Sequence, residues 1–162
     1  MAAPAPAPMV VSADLAALLA MRCNHPNLVR ILGVHHNAGA AQLMVEHVPG
    51  RQLSALLAAA GPDRIPVTEA LTIGRDLARA LFFIHQLRDD QGRSFQFVHG
   101  GLTPAKVVVG FDGVTRLAGL ERLAATSGVP LPDRDYAAPE QLADPEVRVT
   151  GTTGPARRGA GG

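Results

Sequence analysis

The 162-residue chain has no tryptophan, one tyrosine, one cysteine and one lysine. With aromatics at 4% and apolar residues at 47%, its core has to be assembled from Leu, Val, Ile and Ala. The lone cysteine, Cys23, excludes an internal disulfide and has no companions for a metal. A free thiol of this kind is expected to be a buried apolar residue. Charge of one sign is not in excess either: 15 basic and 14 acidic residues leave +1. That balance gives no electrostatic grip on nucleic acid or anionic lipid. No stretch approaches the roughly 18 apolar residues of a spanning helix. The opening MAAPAPAPM has no basic residue and so lacks the first part of a secretory signal. A soluble cytoplasmic protein, with neither nucleic-acid nor membrane partner, is the expectation.

What is present suffices for one ordinary domain. Residues 1–10 read as a disordered Pro/Ala lead, and 150–162 as a disordered Gly-rich tail. The organised part is 11–149. Ser12 is placed to cap a helix carrying Leu15, Leu18 and Leu19, which the NHPN string at 24–27 stops. Strands are predicted over 28–34 and 42–48, with His35 and His36 in the exposed turn between them; adjacent histidines there lack a chelating set. A short helix over 52–60 follows. The spacing of Leu71, Gly74, Leu77, Ala78, Leu81, Ile84 and His85 predicts a long helix over 68–87, with Thr68 as N-cap. Beyond a polar loop, short strands are expected over 95–98, 106–109 and 115–118, the last two joined by an FDGV turn.

Five blocks occur in a fixed order: HPNLVRILGV at 25–34, QLMVEHVPGRQLSALL at 42–57, a long block at 75–109 ending VHGGLTPAKVVV, RLAGLERL at 116–123 and DYAAPEQL at 135–142. In that order and at those spacings the chain resembles the protein kinase superfamily, over about 130 residues. The DDQGRSF insertion at 89–95 is similar to bacterial serine/threonine kinases. The resemblance implies an α+β, partial protein-kinase-like fold: αC, two N-lobe strands, hinge, αD, long αE, catalytic-loop hairpin and short activation segment. The family's first three strands and its αF–αI helices have no counterpart in the sequence.

Phosphoryl transfer asks a protein to position groups and neutralise charge, and each family position can be compared with this chain. No GxGxxG string occurs, and the single lysine, Lys106, lies far from the place of the strand lysine. The αC glutamate position falls at Ala16. The family's HRDLKPxN loop reads HGGLTPAK: His99 is kept, Gly100 replaces the arginine, and Gly101 replaces the base. Loss of a positioned base costs about 10²–10⁴ in rate. Thr103 stands for the loop lysine and Lys106 for the Mg²⁺-binding asparagine, where a cation repels Mg²⁺. The DFG triplet reads Gly119, Leu120, Glu121, with Glu121 expected to face solvent. The chain is therefore expected to have no catalytic and no metal-binding residue.

The resemblance also implies a structural residue: His99, Leu120, Ile31 and Ala20 fall where kinases stack their regulatory spine, so His99 is expected to be a buried scaffold histidine. Val45, Glu46, His47, Val48 and Val108 align with the hinge and adenine pocket, leaving weak ATP binding without Mg²⁺ as the most that is expected. Tyr136 and Glu140 match the segment that braces the large lobe, and Thr126 and Ser127 lie in the activation-like stretch, with no arginine at Gly100 to read a phosphate. The expected function is a catalytically inactive kinase-like module that regulates or binds another protein, or associates with itself, through an exposed apolar face of the long helix. The alternatives are an atypical ATP-dependent serine/threonine kinase using Glu121 for metal, and a truncated remnant without independent function.

Overall fold

Ser12 opens the first helix as the sequence predicts. In the computed structural model, which describes residues 10–37, 40–60, 65–123, 125–127 and 133–143, its side chain accepts a hydrogen bond from Leu15 N–H at 3.4 Å. This caps α1 (Ala13–Arg22), which follows a two-residue strand, β1 (Val10–Val11). Asp14 in the first turn and Arg22 in the last both suit the helix dipole. The helix ends where Cys23 N–H returns to Leu19 O at 2.7 Å, and it buries Ala16 and Leu19.

The hairpin β2 (Ile31–Asn37)–β3 (Ala40–Val45) is antiparallel, with Ile31 opposite Val45. Here the strand expected over 28–34 is displaced toward the C-terminus. The backbone of 28–30 is used elsewhere: Val29 N–H bonds Leu117 O at 2.9 Å, and Arg30 exchanges bonds with Glu46. As a result His35 and His36 lie in the strand, not in a turn.

A second sheet was not foreseen in full. β4 (Gly50–Gln52) pairs with β5 (Val107–Gly110), and β5 with β6 (Thr115–Leu117), all antiparallel in the order β4-β5-β6. Gly50 is required there, because a Cβ would stand 2.4 Å from Val109 O. The FDGV turn forms as predicted: Gly110 N–H meets Val114 O at 3.0 Å, and Gly113 adopts φ +79. The strand expected over 95–98 does not form. Gln96 takes φ 52, which no ladder accommodates, and the Phe95 and Phe97 rings stack with centroids 5.1 Å apart.

Between β4 and β5 in the chain run α2 (Leu53–Ala60) and α3 (Val67–His85). The N-cap of α3 is Pro66, whose preset φ of −55 starts the helix one residue early; Thr68 is inside it and does not cap. The buried face is also rotated from the expected one. Of the expected positions Ile84 is buried and Leu77 and Leu81 pack half-buried against the core, whereas Leu71, Gly74, Ala78 and His85 are exposed; Ile73, Asp76 and Ala80 are buried in their stead. The cause is Asp76, a charged residue that the fold takes inside.

The last described elements are β7 (Ala125–Ser127), paired antiparallel with β1, and α4 (Pro139–Ala143). Val10, assigned to the Pro/Ala lead, is thus in a strand. The rest of that lead and the Gly-rich tail lie outside the described residues, as does the side chain of Glu140. The core joins α1, α3, β2 and β6, with Leu19, Leu28, Ile84 and Leu117 fully buried at its centre. The architecture is α+β, as expected. Among the described residues no helix is long and apolar enough to cross a membrane.

Candidate functional site

The loop from His99 to Lys106 is held against the strand end at 118–121 by three bonds. His99 is buried, and its Nε2 stands 2.8 Å from the carbonyl oxygen of Ala118. A carbonyl only accepts, so Nε2 carries the proton. Ala118 N–H donates to Lys106 O at 2.8 Å. The third bond is an ion pair: Lys106, in the 3₁₀ turn Pro104–Lys106, reaches Glu121, in the 3₁₀ turn Leu120–Leu123, with Nζ 3.0 Å from Oε1. Glu121 is therefore not the free solvent-facing side chain expected; it is half-buried and its carboxylate is engaged by Lys106.

Gly119 shows how closely these parts meet. Its φ is +94, and a Cβ there would lie 3.1 Å from His99 Nε2 and 3.1 Å from Lys106 Cδ. Gly100 also has positive φ, +62. Neither Gly100 nor Gly101 offers a side chain, and Thr103 makes no capping bond to the turn that follows it. Gln141 ties α4 back to this loop, donating from Nε2 to Gly100 O at 3.1 Å while its Oε1 accepts from Ala138 N–H at 3.1 Å. The site thus contains one histidine held as a donor, one neutralised lysine and one neutralised glutamate.

The residues expected to stack behind this loop come together. Ile31 and Leu120 share the core, Ala20 packs against it half-buried, and His99 is buried at the loop's start. Cys23 is buried too, and burial pushes its thiol up to about 11, which keeps it protonated and inert.

At the hinge, Glu46 N–H bonds Arg30 O at 2.9 Å and Glu46 Oε1 accepts from Arg30 N–H at 3.0 Å, which fixes the segment after β3. Glu46, His47, Val48 and Pro49 line a cavity of about 160 Å³ together with Phe111, Asp112 and Arg116 from the hairpin turn. Val45 and Val108 do not line it; Val45 is exposed at the strand end. Ligand pockets run to about 300–1,000 Å³, and this cavity falls below that range. Arg116 pairs with Asp112 (Nη2 to Oδ2 2.7 Å, Nη1 to Oδ1 3.1 Å). That guanidinium, helped by Val114 N–H, lowers the Asp112 carboxyl to about 2.

Three polar residues of structural weight escaped the sequence reading. Asn27 and Asp76 are buried and hold Thr115 from both sides: Asn27 Nδ2 donates to Thr115 O at 3.0 Å, and Thr115 N–H donates to Asp76 Oδ2 at 3.1 Å. His25 Nδ1 accepts from Asn27 N–H at 3.1 Å, and its ring leans on Phe83 with centroids 4.9 Å apart. A usable signal existed for Asp76, which sits between Ile73 and Ala80 at helical spacing.

No protein-family model matches the chain. It is 29% identical over 140 residues to the tyrosine-protein kinase MasK of Myxococcus xanthus, covering 81% of this chain and 22% of that protein. It is 27% identical over 125 residues to wall-associated receptor kinase-like 14 of Arabidopsis thaliana, covering 76% and 17%. The crystal structure of the PknI kinase domain from Mycobacterium tuberculosis matches with a TM-score of 0.61 at 26% identity, over 80% of this chain and 45% of that one. The chain thus spans under a quarter of these two relatives and under half of that kinase domain. With the ordered sequence blocks and the α+β elements that bear them, these likenesses make the chain similar to part of a protein kinase domain.

Proposed function

We propose that this kinase-like segment is a regulatory or protein-binding module that does not transfer phosphate. The reading is carried by the Lys106–Glu121 pair. The family implies ATP and Mg²⁺, and the donor set here does not fit the metal. Divalent magnesium takes oxygen ligands in near-ideal octahedral geometry, yet the two aligned positions supply an ammonium and a glycine, and the Glu121 carboxylate two positions on is bonded to that ammonium. Among the described residues no three His, Cys, Asp or Glu side chains gather into a metal-holding group. The base is missing as well, since Gly101 stands in its place.

Binding is supported by the exposed apolar stripe of α3, where Val67, Leu71 and Phe82 face outward. A kinase-derived surface stripped of transfer chemistry has such contacts left to offer. The test is an assay of the purified chain with radiolabelled ATP and Mg²⁺, using a generic protein acceptor. We expect no labelled protein above a heat-treated control. Label transfer that Lys106→Ala or Glu121→Ala abolishes would overturn the inactive reading in favour of an atypical transferase.

A further inference from the structure

Two loops that carry no paired acidic groups are nevertheless bridged by a cation. Lys106 and Glu121 lie fifteen residues apart, on either side of the β5–β6 hairpin, and meet at 3.0 Å with their side chains 40% and 29% exposed. The lysine backbone is fixed at the same place, because its carbonyl accepts from Ala118 N–H. Its methylene stem lies over Gly119, near enough that a side chain at 119 would press on Lys106 Cδ and His99 Nε2 together. Gly119 in turn holds φ +94, a conformation that a carboxylate-bearing residue adopts only with strain.

We infer that the Lys106 ammonium is a built-in substitute for a divalent cation, clasping the 99–106 loop to the 118–123 segment and making that closure independent of metal. This rests on the functional reading only through the alignment of Lys106 with a metal-binding position. An ammonium is one hydrated charge on a tether that sheds only part of its water to pair here, whereas Mg²⁺ would have to be captured from solution and dehydrates reluctantly. Among the described residues Glu121 is the carboxylate that Lys106 pairs with, so the clasp is a single ion pair. Removing it frees one loop locally without collapsing the core. Lys106 is here a positioning residue.

The test is peptide-resolved amide hydrogen exchange across 118–123 in the full chain, with Mn²⁺ as the metal probe. In the wild type, millimolar Mn²⁺ leaves exchange unchanged. Lys106→Gln speeds exchange by about two- to five-fold, the range for a partly exposed ion pair. The charge swap Lys106→Glu with Glu121→Lys returns it toward the wild-type rate. Lys106→Asp sets a second carboxylate beside Glu121; its exchange is fast without metal and is slowed by Mn²⁺. Slower wild-type exchange in Mn²⁺ would overturn the inference, as would Lys106→Gln exchanging like the wild type or Lys106→Asp ignoring Mn²⁺. If every Lys106 variant unfolds, the wild-type Mn²⁺ titration decides alone. Phosphate transfer by the wild type would sink the functional reading and leave this exchange result standing.

Discussion

At the scale of single residues, charge and protonation decide what each polar side chain does here. His25 accepts the Asn27 N–H through Nδ1, a bond that only the neutral ring makes. Burial first, and the Arg79 charge second, hold its pKa below the usual 6.5. The folded chain therefore binds this proton less readily than the unfolded chain, and stability is lost as pH falls through about 6.5. His25→Gln should flatten the urea midpoint between about pH 7 and pH 5, where the wild-type midpoint declines. A wild-type midpoint that is level across that window would refute the assignment. The lowered carboxyls of Asp89 and Asp112 act later: their contribution is lost only as pH drops below about 3.8. The candidate site was legible at this scale. His99, Gly101, Lys106 and Gly119 are identities, and an absent carboxylate needs no coordinates to be noticed. The Lys106–Glu121 bond was not legible, because the two residues meet only when the β5–β6 hairpin closes.

Elements read well where their signals are local and poorly where the partner is distant. Ser12 caps α1 and the FDGV turn closes β5–β6, since both depend on a few neighbouring residues. The unpredicted strands β4 and β7 exist only by pairing with β5 and β1, more than 50 residues away in each case. The α3 face was misplaced for a related reason. Polarity alone puts Asp76 outside, but Thr115 on β6 offers it a backbone N–H, while Arg75 approaches from the solvent side at 2.8 Å. This bond pins α3 to the strand leading into the candidate site. Asp76→Ala leaves the buried Thr115 N–H unpaired, at a cost of about 1–3 kcal/mol. Urea unfolding should show that loss, with Asp76→Asn milder because an amide oxygen still accepts. Equal stability of Asp76→Ala and wild type would mean that the helix is held by apolar packing alone.

On the scale of the whole molecule, the outer side of α3 presents apolar side chains to solvent. Val67, Leu71 and Phe82 are 74%, 68% and 68% exposed, and all fall on one side of the helix. Gly74 and Ala78, exposed between them, leave room for close approach; a Cβ at Gly74 would meet nothing within 4 Å. A net charge of +1 supplies little long-range repulsion between copies. Apolar surface grouped in this way promotes association, so the sedimentation-average mass should rise with protein concentration. The double variant Leu71→Ser with Phe82→Ser should stay monomeric. Its melting temperature should hardly move, because substitutions at exposed sites usually stay within about 0.5 kcal/mol. A large drop in melting temperature would mean that these side chains serve the fold itself. Wild-type sedimentation as a single monomer at every concentration would remove self-association from the module's repertoire and leave the stripe for a different protein.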